Sequence, residues 1–420
     1  MIFALIIFIL TYILMLSIPK YKHYIALGAA IIFVVFGILP VQKIFLEIDF
    51  NVLLMILGTM GTVSLFIESK MPDLISDKLI KKASNIKWMT IILAVFAGIV
   101  SAFIDNVATV LIIAPIVLVV AKKFKVSPVI PLICISIFSN LEGAATLTGD
   151  TTSLLLAKEV NMNFFDFFFF DGKIGLFFIV QFSLIAATLV LAYLQRRETK
   201  KLKYEGNTKV NDYIPTILLC LTIISLIIAS FVDNKSKLTN GLICTFYFVV
   251  GLIIKVIKNK DIKSILINIK EIDYETLLLL ASLFVVIGGI KEAGIIDAIS
   301  KMFINIGDNP FVMYTVIVFV SVLISAFIDN IPYVATMLPV ITGICAASSI
   351  NPTLLYYGLI AGATLGGNFT PIGASANITA IGLLKKNGYN LDTKDYFKYS
   401  IPISLAAVLT SYIIILLLFI

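Results

Sequence analysis

The chain has 420 residues, 60% of them hydrophobic and 14% charged, with a mean hydropathy of +1.06, which leaves too few polar side chains to cover a water-soluble globule. A polytopic membrane protein remains. The net charge of +7 comes from lysines in short loops between apolar runs, where it sets orientation and implies no nucleic acid. Cys134, Cys220, Cys244 and Cys345 lie in apolar segments without C-x-x-C spacing, and His23 is the single histidine; neither a disulfide framework nor a zinc site is supported.

Residues 1 to 18 are apolar, lack a basic leader and a small-x-small cleavage site, and are followed by Lys20 and Lys22. They predict a first membrane helix with its N-terminus outside, not a cleaved signal. Since a crossing helix needs about 20 apolar residues, further spans fall near 24 to 40 and 50 to 67. Loop 68 to 87, with Lys70, Lys78, Lys81, Lys82 and Lys87, reads as cytoplasmic. Ile75, Leu79, Ile80 and Ala83 recur in it at helical spacing, as in a short helix on the membrane interface; a solvated charged loop is the equal alternative.

Segment 88 to 121 carries Asp105-Asn106 at its middle and Lys122, Lys123 and Lys125 beyond its far end. A hairpin entering and leaving on one face suits it, because each arm falls short of about 20 residues and the polar pair lies where the arms meet. A span interrupted by glycine and hydroxyl residues follows at 129 to 158, then Phe164 to Phe170, which reads as interfacial anchoring. Another span covers 174 to 194. The central cytoplasmic linker, 195 to 211, holds Arg196, Arg197, Lys200, Lys201, Lys203 and Lys209.

Beyond the linker, spans fall near 213 to 232, 239 to 257, 274 to 290, 354 to 384 and 400 to 420, with a second hairpin at 312 to 347. This half repeats the first at an offset of 224: Ser-Ala-Phe-Ile-Asp-Asn occupies Ser101 to Asn106 and again Ser325 to Asn330. Pro115 meets Pro339, Gly143 meets Gly367, Thr146 meets Thr370, Gly149 meets Gly373, Ile48-Asp49 meets Ile272-Asp273, and Glu68 meets Glu292. The chain therefore divides into repeats at 1–212 and 213–420. Five crossings and a hairpin per half is an odd count, so the second repeat is expected upside down relative to the first. Basic loops at 68 to 87, 195 to 211 and 255 to 270 then share the cytoplasmic face, while 291 to 309 is slightly acidic and 346 to 352 uncharged. The expected fold class is an all-α polytopic membrane protein of two inverted-topology repeats, with about ten crossings, two re-entrant hairpins and two broken helices. Both termini are expected outside.

Two pairs of motifs carry the chemistry. A carboxylate deep in the membrane costs about 2.5 to 3.5 kcal/mol, so Asp105 and Asp329, each followed by an asparagine, mark a binding or relay site. The bland reading is that each aspartate caps the second arm of its hairpin, and the two roles do not compete. The other pair is Gly143-Ala-Ala-Thr-Leu-Thr-Gly149-Asp150-Thr-Thr-Ser153 against Gly367-Asn-Phe-Thr-Pro-Ile-Gly373-Ala-Ser-Ala-Asn377. Each reads as an unwound helix whose free carbonyls can hold a cation and whose following half-helix favours an anion. Small residues for close helix packing compete with this reading at Ala144, Ala145 and Gly366, but packing calls for no Asp150. Candidate binding residues are Asp105, Asn106, Thr109, Thr146, Gly149, Asp150, Thr151, Ser153, Asp329, Asn330, Thr370, Gly373, Ser375 and Asn377, with a sodium site near Asp105, Asn106 and Asp150. Asp150 corresponds to Ala374, so the halves are electrostatically unequal. Coupling-ion binding is expected to be dominated by Asp105, Asn106, Thr146 and Asp150, with Asp329, Asn330, Thr370 and Asn377 leaning toward the substrate.

The string Ser-Ala-Phe-Ile-Asp-Asn-Val-Ala-Thr-Val-Leu-Ile-Ile-Ala-Pro, its second copy and the run Gly366 to Asn377 resemble the ion transporter superfamily. Within it they are most similar to the arsenite permease, NhaD-type antiporter and P-protein group, related to citrate and dicarboxylate carriers. The resemblance covers nearly the whole chain. It implies two re-entrant hairpins and two broken helices meeting near the midplane, a mobile transport domain and a scaffold domain that often dimerises. Where related carboxylate carriers have Ser-Asn-Thr at the hairpin tips, this chain has Asp105-Asn106-Val107 and Asp329-Asn330-Ile331. More anionic tips favour a cation, a proton or a neutral hydroxylated substrate over a dicarboxylate. Where the family commonly has Pro-Pro-Asn, the chain has Thr151-Thr152-Ser153, which alters the donors of the first site.

An intramembrane aspartyl protease would also need two membrane aspartates, but Leu147 stands where its Gly-x-Gly-Asp pattern has the first glycine, and it has no call for paired hairpins. A channel on the same architecture is weighed too. The expectation is a non-enzymatic, ion-coupled secondary transporter of the cell membrane, with sodium or a proton as coupling ion and no cofactor. Its partners would be a small inorganic or organic solute, the lipid bilayer and a second copy of the chain through scaffold helices. Arsenite-type efflux or sodium/proton exchange is favoured, with uptake of a small carboxylate or inorganic anion as the alternative.

Overall fold

In a computed structural model of the chain, residues 1–202, 206, 208–232, 236–304, 309–348 and 350–420 are described. Lys203, counted above in the basic linker, lies outside them. The described residues form 20 α-helices. The first half holds α1 (Ile2–Ser17), α2 (Lys22–Val35), α3 (Ile44–Glu47), α4 (Phe50–Glu68), α5 (Met71–Lys81), α6 (Ile86–Ser101), α7 (Asn106–Phe124), α8 (Val129–Glu142), α9 (Thr151–Val160) and α10 (Leu176–Leu194). The second holds α11 (Ile214–Ser230), α12 (Thr239–Asn259), α13 (Leu266–Lys270), α14 (Tyr274–Glu292), α15 (Ile295–Ile304), α16 (Pro310–Ser325), α17 (Asn330–Ala347), α18 (Pro352–Gly366), α19 (Ser375–Lys386) and α20 (Thr393–Phe419).

The duplication seen in the sequence recurs helix by helix, with α1 to α10 matched in order by α11 to α20. Local signals are duplicated with it: Asp49 caps α4 by accepting from Val52 N at 2.9 Å, and Asp273 caps α14 by accepting from Thr276 N at 2.9 Å. α4 packs on α12 and α2 on α14, so these pairs join the halves; α6 packs on α8 and α16 on α18 within them.

Seven helices, α4, α7, α10, α12, α14, α17 and α20, are long and apolar enough to cross a membrane. Two of them qualify the expectation for the hairpins. The first arms, α6 and α16, have 16 residues, but the second arms α7 and α17 reach 19 and 18, because the helix runs on past the internal Pro115 and Pro339. In each segment a short non-helical stretch, ending at Asp105 or Asp329, separates the arms.

Loop 68 to 87 is the helix α5 over most of its length, with Ile80 fully buried and Asp77 accepting from Thr208 N and Oγ1 at 3.0 and 2.6 Å. Its packing on α6 and α7 makes it part of the protein, not a solvated loop. Its mate α15 lies where the sequence reading saw only an acidic loop, 291 to 309. The phenylalanine run is corrected as well. A 3₁₀ turn at Phe165–Phe167 curls it inward, so Phe164 and Phe167 are buried and only outward rings such as Phe169 are free to anchor.

Candidate transport site

The site is assembled from the two helix breaks and the two hairpin tips. α8 ends at Glu142, makes one 3₁₀ turn over Gly143–Ala145, and turns extended at Thr146 (φ −136°, ψ 168°); the chain re-enters a helix after Asp150 (φ −145°, ψ 155°). In the second half Gly367–Phe369 makes the same turn, with Thr370 at φ −124°, ψ 159° and Ala374 at φ −140°, ψ 143°.

Each break locks onto a hairpin through a glycine. A Cβ on Gly149 would stand 2.6 Å from Gly143 O, 2.8 Å from Ser101 O and 2.9 Å from Ala102 O; on Gly373 it would stand 2.6 Å from Ala326 O, 2.6 Å from Gly367 O and 2.7 Å from Ser325 O. Only glycine fits either place. The carbonyls come from the C-terminal ends of α6 and α8, or α16 and α18, where they lack helical partners and carry the negative end of the dipole. Thr146 Oγ1 donates to Ala102 O and Thr370 Oγ1 to Ala326 O, and Ser153 Oγ and Asn377 Nδ2 donate to Gly143 O and Gly367 O at 3.3 and 3.1 Å.

The aspartates are held differently. Asp105 Oδ1 accepts from Val107 N at 2.9 Å and Ala108 N at 3.1 Å, capping α7. Asp329 makes no side-chain cap; its Oδ2 accepts from Lys22 Nζ of α2 and from Ser375 Oγ at 3.0 Å, and its Oδ1 is buried without a partner. Asp150 Oδ2 accepts from Thr152 Oγ1 at 3.1 Å and, across the halves, from Asn330 Nδ2 at 3.2 Å. The charges of Asp105 and Asp329 both reach Asp150. Beside Asp105 a cavity of about 150 Å³ is lined by Thr59, Ser64, Glu271 and Asp273.

Asn106 turns away from this carboxylate group. Its Nδ2 donates to Asn140 Oδ1 at 3.0 Å, and Asn140 Nδ2 donates to Asn368 Oδ1 at 3.1 Å and Thr364 O at 2.7 Å. Asn106, Asn140 and Asn368 thus form a buried amide chain joining the halves. Among the candidates, Thr109 is buried with Oγ1 3.5 Å from Ile104 O in the stretch before α7, and Thr151 is buried at the start of α9. Within the expected grouping of Asp105, Asn106 and Asp150, Asp150 is joined to Asn330 of the second half and Asn106 to Asn140 of its own half. No cluster of three or more His, Cys, Asp or Glu suited to a metal ion occurs among the described residues.

Sequence reasoning missed Asn140 and Glu142. Both are polar residues in an otherwise apolar helix, which is the signal that could have found them. Glu142 is fully buried, accepts from Gln181 Nε2 at 2.6 Å through Oε2, and has no partner for Oε1.

Residues 12–362 match the CitMHS family, described as citrate transporter. The chain belongs to the CitMHS family. This CitMHS member is 28% identical over 401 residues to an uncharacterized transporter of Mycobacterium tuberculosis, covering 92% of this chain and 91% of that one. It is 27% identical to the 46 kDa membrane protein of Mycobacterium leprae, covering 96% of each. The P protein of Mus musculus is 27% identical over 85% of this chain, which spans about half of that longer protein (52%). In fold it resembles the YdaH transporter of Alcanivorax borkumensis, whose crystal structure is titled as revealing an unusual topology, with a TM-score of 0.60, 13% identity and coverage of 89% and 86% of the two chains. This CitMHS protein is a multi-pass membrane transporter of the secondary type, not an enzyme.

Proposed function

We propose that this transporter couples movement of a small solute to a sodium or proton gradient, by alternating access around a site between its two repeats. The observation that carries the reading is the pair of carbonyl-ringed glycines, Gly149 and Gly373, beside three aspartates drawn from both halves. Oxygen-rich surroundings made of helix C-termini and carboxylates suit a hard monovalent cation or a proton. On this reading the hairpins are re-entrant, the repeats are inverted, and the hairpins with the broken helices move as one body against a scaffold that pairs with a second copy. The protein would sit in the cell membrane with both termini outside.

An acidic centre favours a cationic or neutral hydroxylated cargo, as in sodium/proton exchange or arsenite-type efflux. A second reading, uptake of a small carboxylate, is favoured by the family's description as citrate transporter; the cargo's charge would then be offset by cations entering with it. Proteoliposomes loaded with citrate, arsenite or sodium, under separately imposed sodium and proton gradients, decide among these. Flux of one solute should follow one gradient; flux indifferent to both would refute coupling.

A further inference from the structure

Lys22 opens α2, and its ammonium reaches the carboxylate at the tip of the second hairpin, Asp329. Their side chains are 25% and 16% exposed, enough desolvation for the pair to count and too little for it to be inert. Asp273 and Glu275 also direct negative charge at Lys22. A second tie lies beside the first, where Tyr12 of α1 donates its hydroxyl to Pro332 O at 2.7 Å and contacts Thr336 Oγ1, both on α17. α1 and α2 pack on α14, and α17 packs chiefly on α9, α15 and α18 while also touching α14, so the two ties add to the contact that α14 already makes with α17.

The first hairpin has no counterpart. The residue 224 positions after Lys22 is Phe246, 60% exposed, and the neighbours of Asp105 include Glu271 and Asp273. Two tips of identical sequence therefore differ in charge: at Asp329 a positive charge is supplied by Lys22, and at Asp105 none is supplied among the described residues. We propose that Lys22 is a tethered counter-ion, standing at Asp329 in place of a monovalent metal cation and holding the second hairpin to α2 until such a cation displaces it. Lys22 holds Oδ2, so a cation entering at the other oxygen of the same carboxylate meets the ammonium at close range, and their repulsion favours release of the lysine. Asp329 Oδ1, buried and without a partner, is the free oxygen at which the incoming cation would first bind. The proposal rests on the cation-coupled reading above and adds to it a positioning role for Lys22, which acts through Asp329.

The test is a cross-linking rate, read without transport. With the four native cysteines changed to serine, Tyr12→Cys and Thr336→Cys are joined by a short dithiol-reactive linker in the purified full-length protein. Removing the tyrosine tie leaves the lysine tie to set the rate. With Lys22 or Lys22→Arg, joining should be fast. Lys22→Gln should slow it about tenfold, within the usual range of coupling between sites, and sodium chloride replacing choline chloride at equal ionic strength should slow the Lys22 protein likewise. Joining in Lys22→Gln at the parent rate, or a parent rate indifferent to sodium, would overturn the proposal. Gradient-driven flux is measured on the parent lacking the four native cysteines, before Tyr12→Cys and Thr336→Cys are introduced; its absence would refute the transport reading, while the cross-linking comparison would still decide the role of Lys22.

Discussion

At the first hairpin tip Asp105 turns Oδ1 back onto two amides of its own helix, and at the second the same residue in the same hexapeptide reaches out to Lys22 and Ser375. Capping an N-terminus is a local act that any aspartate there can perform. Asp329 turns Oδ2 to a charge-assisted partner, Lys22, instead. Duplication thus preserved backbone geometry while side-chain partners diverged. The breaks diverge in the same way: Thr146, Thr370 and the two glycines keep equivalent bonds, while Asp150 faces Asn330 and its counterpart Ala374 carries no polar side chain.

The sharpest way to break this comparison is to attack what the halves share. Gly149→Ala and Gly373→Ala should each abolish flux and cost about 3 kcal/mol, the upper end for overpacking, since backbone must move to admit the Cβ; chemical denaturation in detergent measures it. If either is tolerated, the two breaks are not equivalent.

Next comes the contrast between the tips. Asp105→Asn and Asp329→Asn should both abolish coupled transport with expression intact. Asp105→Asn should lower stability by only about 0.5 kcal/mol, because asparagine caps nearly as well as aspartate. Asp329→Asn should cost about 2 kcal/mol by leaving Lys22 unpaired, below the fully buried case because the pair is partly exposed. Equal losses in the two variants would erase the difference drawn here.

The asymmetry at Asp150 predicts a smaller, kinetic effect. Asp150→Ala should raise the half-saturating concentration of the coupling ion about tenfold, a typical site-to-site coupling, and shift apparent substrate affinity less. A shift in substrate affinity alone would assign Asp150, through Asn330, to the cargo. The smallest effect is expected from labels: cysteines at Lys82 and Lys301, in a background without the native four, should leave flux unchanged yet react from opposite faces of the membrane. Reaction from one face would remove the inversion.

Much of the architecture was legible because it rests on short-range patterns. Apolar runs located the long helices, and Asp105 was legible as a cap because its bonds to Val107 N and Ala108 N span two or three residues. The repeat offset even contained α15, which composition alone hid: Lys70, Lys78, Lys81 and Lys82, which mark the first copy, are replaced by Gly294, Met302, Asn305 and Ile306. The candidate site was legible as a set of residues but not as a set of contacts. Asn140 was overlooked because one amide in an apolar helix carries no periodic signal, and its importance lies in Asn106 and Asn368, 34 residues back and 228 ahead.

By itself, then, the sequence determined that this protein lives in a membrane, is built twice, and places carboxylates and glycines at equivalent sequence positions in each copy, because hydropathy, helix breaking and capping act over a few residues. Tertiary structure alone decided which aspartate caps and which pairs, that Asp150 answers to Asn330 of the opposite half, and that Lys22, read in the sequence only as a basic residue after the first apolar run, reaches Asp329. Those outcomes depend on which helix ends meet across more than 150 residues of chain, and a desolvated polar group takes whichever partner packing brings within about 3 Å.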